Sequence, residues 1–159
     1  MSSYGRARNL SVSRRVLRGF SPDRLSQIRR EQNFSLSDLA RLANIGRSTL
    51  HHWETGHATP QIDLLARAAE TLGVSISDLV HVPEGERFPG DLRILGGLTQ
   101  PQLGRDAGIP TATVGAIERG EAALSEQHAQ RLAAVLRVPV DVYRAAHERA
   151  RKRPPGMPA

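Results

Sequence analysis

The sequence predicts an all-α chain: two similar five-helix units in tandem, with basic, flexible ends. Three observations carry this. Apolar residues recur at three- and four-residue spacing in short runs bounded by capping residues and glycines. The same pattern returns 64 residues later without a gap. Between the copies lies PEGERFPG, residues 83–90, whose two prolines, two glycines and three charges mark a linker.

Residues 1–20 hold five arginines and no acid, with Val12, Val16, Leu17 and Phe20 as their apolar cluster; a basic arm with a short helix near 11–18 is expected. The first unit spans 21–82. Ser21 can cap a helix, Pro22 suits its first position, and Asp23 favours the positive end of the helix dipole. Leu25, Ile28 and Phe34 then face a core. Ser35 caps a second helix with Leu36, Leu39, Ala40 and Ala43 on one face. Asn44 and Gly46, on either side of Ile45, tolerate the left-handed backbone of a sharp turn. A third helix starts at Arg47, turns Leu50 and Trp53 inward and stops at Gly56, with Pro60 beyond. Residues 61–72 form a fourth, with Leu64, Leu65, Ala68 and Leu72 inward and Gly73 at its end. Ser77 is expected to cap a last short helix, SDLV. The linker 83–90 spans at most about 28 Å at ~3.5 Å per residue, so its neighbours stay close.

The second unit, 91–153, repeats the first. Arg29 returns as Arg93, Leu39 as Leu103, Ile45 as Ile109, Leu50 as Val114 and Trp53 as Ile117. Glu54 returns as Glu118, Gly56 as Gly120, Leu72 as Leu136 and Val74 as Val138. Thr99 is the cap of its second helix, Pro101 sits early enough in that helix to be tolerated, and Pro110 replaces a polar cap before the third. Its first helix, squeezed between Pro89 and Gly96-Gly97, should be short. Residues 140–153 extend the last helix with a basic end, Pro154 and Pro155 stop it, and 154–159 is expected to be a disordered tail.

Two short helices joined by a three- or four-residue turn make a helix-turn-helix, whose second helix can enter a DNA major groove. In the first unit that helix leaves Arg47, Ser48, His51 and His52 outward, all able to hydrogen-bond to base edges. In the second unit the matching exposed set is Thr111, Ala112, Gly115 and Ala116. The order of Arg29, Ser35, Leu39, Ala40, Ile45, Arg47, Ser48, Thr49, Glu54, Gly56 and Pro60 resembles the Cro and lambda-repressor type of helix-turn-helix, the XRE family. Leu36 stands where that family usually has a polar residue, and Gln100 restores it in the second unit. The run TVGAIERG is similar to the recognition helix of the lambda repressor, which implies that Ala116 meets a thymine methyl. The resemblance also implies that Arg29 pairs with Glu54 and Arg93 with Glu118, as internal ion pairs between helices that also lie near phosphate. It implies phosphate contacts from Ser35, Thr55, Thr99, Gln100 and Arg119.

Charge supports a nucleic-acid partner. The net charge is +6, but residues 1–20 carry +5, residues 144–159 carry +4, and the stretch between carries −3. Basic ends on a near-neutral core suit a phosphate backbone, so Arg6, Arg8, Arg14 and Arg15 are expected to clamp it or enter a minor groove. Other chemistries are not expected. There is no cysteine, hence no disulfide or thiolate. His51 and His52 point about 100° apart on a helix and do not share a metal ion easily. No nucleophile stands with a base, and no glycine loop cradles a phosphate. No apolar run approaches the ~20 residues of a membrane span, and the N-terminus lacks the apolar stretch of a secretory signal. An enzyme, a cofactor, a metal or a small-molecule ligand is therefore not expected, and the expected location is the cytoplasm, at a bacterial nucleoid or as a protein encoded by a phage or plasmid.

The expected function is a sequence-specific, double-stranded DNA-binding transcription regulator, a repressor in the simplest case, with two unlike reading heads in one chain. Its alternative is a first unit that binds DNA and a second that dimerises or binds a partner protein, as in an antitoxin-like or adaptor role. A nonspecific DNA binder is the third reading. Beyond DNA, a second copy of the chain and RNA polymerase are the candidate partners.

Overall fold

Side-chain caps open four of the helices. Ser21 accepts from the Arg24 amide at 3.1 Å, Ser35 from Asp38 at 3.0 Å, Thr99 from Gln102 at 3.3 Å and Ser125 from His128 at 3.1 Å. In the computed structural model, which describes residues 17–159, four α-helices make the first half: α1 Pro22–Glu31, α2 Leu36–Ala43, α3 Arg47–Glu54 and α4 Ile62–Leu72. Five make the second: α5 Pro89–Leu95, α6 Gln100–Ala107, α7 Thr111–Glu118, α8 Glu126–Leu136 and α9 Val140–Lys152. Among the described residues the fold is all-α, with one isolated antiparallel bridge between Phe20 and Val80. Helices α2, α3 and α4 recur as α6, α7 and α8 at an offset of 64 at both ends of each helix.

Left-handed residues close the turns. Asn44 has φ 54° after α2, and Gly108 has φ 68° after α6, so each second helix stops in one residue and hands the chain to the recognition helix. Each half then closes over its own core. Leu25, Leu39, Leu50, Trp53 and Leu65 are buried in the first, and Leu103, Val114, Ile117, Leu132 and Tyr143 in the second. Each such side chain contributes roughly 1.5–3 kcal/mol of burial.

Four expectations need correction. The arm does not extend to residue 20: Leu17 is buried in the first core, its amide donates to Thr59 Oγ1 at 2.8 Å, and Phe20 pairs with Val80. Residues 17 and 18 are not helical, and the rest of the helix expected near 11–18 lies outside the described residues. Ser77 caps nothing. Instead a single 3₁₀ turn, Ile76–Asp78, follows Ser75, whose amide donates to Asp78 Oδ2 at 3.0 Å, and Ser77 lies inside that turn with its Oγ 2.7 Å from Ser75 Oγ. The linker is structured: Glu84–Glu86 form a 3₁₀ turn, Phe88 is buried, and Pro89 already opens α5. The tail turns back, with the Met157 amide donating to the Pro154 carbonyl and Arg153 Nε donating to the Met157 carbonyl at 2.8 Å.

Arginines hold the linker from both sides. Arg18 donates to Asp91 Oδ2 at 3.1 Å and to the Glu86 carbonyl at 3.3 Å, and lies 4.9 Å over the Phe88 ring. Arg149 of α9 donates to the carbonyls of Arg87 and Glu84 at 2.8 and 3.3 Å. Burial pushes the Asp91 carboxyl above its usual range, an effect opposed by the Phe88 amide and by Arg18. Ile94 of α5 packs on the first core, so the halves touch as well as follow one another.

The last turn of α9 also covers the end of α7. A Cβ on Gly120 would lie 2.7 Å from the Arg151 backbone nitrogen, His147 Nε2 lies 2.9 Å from the Ala122 carbonyl, and Arg153 donates to the Arg119 carbonyl. Gly56, the matching residue in the first half, has nothing within 4 Å. Both glycines have positive φ, 78° and 72°. Gly56→Ala is therefore expected to cost only the backbone term, about 1–2 kcal/mol, whereas Gly120→Ala adds a clash of about 1–3 kcal/mol; urea denaturation of the two variants measures the difference.

Candidate nucleic-acid interface

An arginine on the first helix of each half sets the recognition helix in place. Arg29 of α1 grips Glu54 of α3 with Nε at 2.7 Å and a terminal nitrogen at 2.8 Å, and gives its remaining nitrogen to the Phe34 carbonyl at 2.9 Å. Arg93 of α5 grips Glu118 of α7 at 2.6 and 3.3 Å and the Leu98 carbonyl at 2.9 Å. Both side-chain pairs are about nine-tenths buried. Hydrogen bonding to Glu54 raises the Arg29 pKa above its already high ordinary value, against the opposing effect of burial. Each nitrogen of both guanidinium groups has one interior acceptor, which fits the structural role expected of the two pairs.

The two recognition helices then present different faces. On α3, Leu50 and Trp53 are buried, while Arg47, Ser48, Thr49, His51 and His52 are exposed. Arg47 Nε donates to Ser37 Oγ of α2 at 3.0 Å. The His51 and His52 rings lie 6.1 Å apart, and His57 lies 6.2 Å beyond His52. Thr55 Oγ1 donates to the His51 carbonyl at 3.0 Å, so it accepts from His57 Nδ1 at 2.7 Å. Ser35, expected near phosphate, is exposed, with its hydroxyl acting as the α2 cap.

On α7, Thr111 and Ala112 are exposed, Ala116 is half-buried, and Gly115 is buried. Gly115 therefore does not belong to the exposed set expected of it: an Arg119 terminal nitrogen stands 3.1 Å from where its Cβ would be, and the Gln100 amide 3.6 Å away. Gln100 itself turns inward and donates to Glu118 Oε2 at 2.8 Å. A buried carboxylate is a stronger acceptor for it than solvent. Arg119 Nε pairs with Glu121 at 3.0 Å. Thr99 caps α6, and its amide donates to Gln102 Oε1 at 2.9 Å. Arg6, Arg8, Arg14 and Arg15 lie outside the described residues. At the other basic end, Arg149 and Arg153 are tied to carbonyls and Lys152 pairs with Glu148 at 3.1 Å, leaving Arg151 exposed on α9.

Ser37, Thr49 and His57 also reach this surface but were not among the residues expected to contact DNA. Thr49 was legible in principle, since it stands in the Arg-Ser-Thr run; the position of Ser37 depends on how α2 crosses α3. Among the described residues no three metal-binding side chains converge, and no helix is long and apolar enough to cross a membrane.

A family model described as helix-turn-helix matches residues 25–79 and again 91–143. The chain belongs to the lambda-repressor type of this helix-turn-helix family. It carries the family domain twice, and in each copy the matched span includes the arginine–glutamate pair and the recognition helix. The chain is also similar to the HTH-type transcriptional regulator DdrOP3 of Deinococcus deserti, 35% identical over 69 residues, which is 43% of this chain and 51% of that protein. The match thus covers about half the length of that relative.

The two ion pairs of the family frame differ in what they support. Removing Glu118 strands donors of Arg93 and Gln100 in a buried site, whereas removing Glu54 strands Arg29 alone. Breaking a buried pair of this kind costs about 3–5 kcal/mol. Glu118→Ala is expected to reach the upper end and Glu54→Ala the lower, as read from chemical denaturation monitored by helical circular dichroism.

Proposed function

We propose that the chain is a sequence-specific, double-stranded DNA-binding transcription regulator that represses by occupying its site. The observation that carries the reading is the outward face of α3, where Arg47, Ser48, His51 and His52 stand exposed on a helix fixed from behind by Trp53 and the Arg29–Glu54 pair. An α-helix fits the major groove, and an arginine fork there favours guanine by about 1–3 kcal/mol. Thr111, Ala112 and Ala116 on α7 have no comparable donor set and would meet methyl groups and groove shape. The site is then bipartite and asymmetric, with the first head doing most of the reading. The arginines of the arm supply salt-dependent affinity without sequence preference. The match to a transcriptional regulator supports the same class.

A second reading has its own observation. Gln100 turns inward to Glu118, Arg119 pairs with Glu121 at the surface, and Gly115 is covered. Helix α7 could then face a second copy of the chain or a partner protein while only α3 reads DNA.

Selection of binding sites from random duplexes with the intact chain tests both. The first reading expects an asymmetric bipartite consensus; the second expects a palindrome whose half-sites lie about 34 Å apart. In either case Arg47→Ala combined with His52→Ala is expected to abolish the consensus of the first head while leaving salt-dependent binding to random DNA. An unchanged consensus would overturn the role of α3.

A further inference from the structure

Arg47 is exposed and sits at the first position of α3, where a long side chain ordinarily samples many rotamers. Here it does not stand alone. Its Nε donates to Ser37 Oγ at 3.0 Å, and among the described residues its terminal nitrogens make no other hydrogen bond. Ser37 lies on α2, ten residues earlier, and the contact forms because α2 and α3 cross at this point. We propose that Ser37 is a positioning residue that holds Arg47 for guanine, an inference that rests on the reading of α3 given above.

The chemistry is specific. With Nε engaged, the two terminal nitrogens are left as the only fork that can meet the O6 and N7 acceptors of guanine, so the arginine must approach end-on. A group held in its bound orientation loses less freedom on binding. Ser37 stands in the first turn of α2 on the same surface, and its hydroxyl accepts from Nε without occupying either terminal nitrogen. The second half supplies an internal comparison: the residues 64 positions on are Pro101 and Thr111. Proline has no hydroxyl and threonine no fork, so the pair is missing as a unit from the head that presents no cationic reader.

The test compares Ser37→Ala, Ser37→Thr, Arg47→Ala and the double variant Ser37→Ala with Arg47→Ala. The probes are the duplex selected by the intact chain, single-base changes through it, and unrelated duplex DNA. Arg47→Ala should relax preference at one base pair. Ser37→Ala should weaken preference at that same base pair by about three- to tenfold, the range of one net hydrogen bond, without changing binding to unrelated DNA. Ser37→Thr should restore it, and the double variant should be no worse than Arg47→Ala. Because Ser37 is exposed, all variants should keep the parent's unfolding midpoint. In the free protein, exchange of the Arg47 Nε proton with water should be faster in Ser37→Ala than in the parent. If Ser37→Ala keeps full preference, or weakens binding equally on every duplex, Ser37 does not position Arg47. If Arg47→Ala itself relaxes no base pair, the reading of α3 fails and this inference falls with it. Equal exchange rates in parent and variant would refute the tether independently of DNA.

Discussion

The contact on which both halves depend is the buried guanidinium–carboxylate pair between the first helix and the recognition helix. Placing two charges in a low-dielectric interior costs several kcal/mol per ion. Here the cost is offset by a two-point grip and by a third hydrogen bond from the same guanidinium to a main-chain carbonyl, Phe34 in one half and Leu98 in the other. That carbonyl belongs to the turn leading into the second helix. One arginine thus ties together the first helix, the turn and the recognition helix. Sliding one helix past the other breaks the two-point fork and leaves buried charged groups without their hydrogen bonds.

The same frame carries two unlike surfaces. In the first half, Leu36 occupies the place that Gln100 takes in the second, and Glu54 is served by Arg29 alone. In the second, Gln100 turns inward and joins the ion pair. Helix α9, which replaces the 3₁₀ turn of the first half, closes over Gly120 and braces the loop after α7. The second half is the more elaborately held and presents the plainer face; the first is more open and presents arginine and histidine.

Much of the fold was legible because its determinants are local. Caps, left-handed turn residues and apolar spacing act within a few positions, and the 64-residue repeat marked which of them matter in both copies. The ion pairs came from a family resemblance and hold in the structure. What escaped was set by contacts far apart in sequence. The seating of Leu17 depends on Thr59, and the order of the linker depends on Arg18 and Arg149. Of the candidate site, the outward residues of α3 could be read from helical periodicity. Gly115 was misplaced because periodicity cannot show that neighbouring side chains fold over a glycine, and the inward turn of Gln100 needed the carboxylate's position in space. Ser37 was invisible for the same reason: its partner lies on the next helix.

The clamp on residues 84–91 places charge and mechanics in the same side chains. Arg18 lies at the start of the described residues and Arg149 on the final helix, so segments far apart in sequence hold the middle of the chain. The Arg18 side chain is 43% exposed whereas Asp91 is 10% exposed, and a half-open pair of this kind weakens as ionic strength rises. One of the contacts that hold the linker is therefore screened by salt. In concentrated salt the linker keeps its two bonds from Arg149 to main-chain carbonyls and loses part of its hold from Arg18.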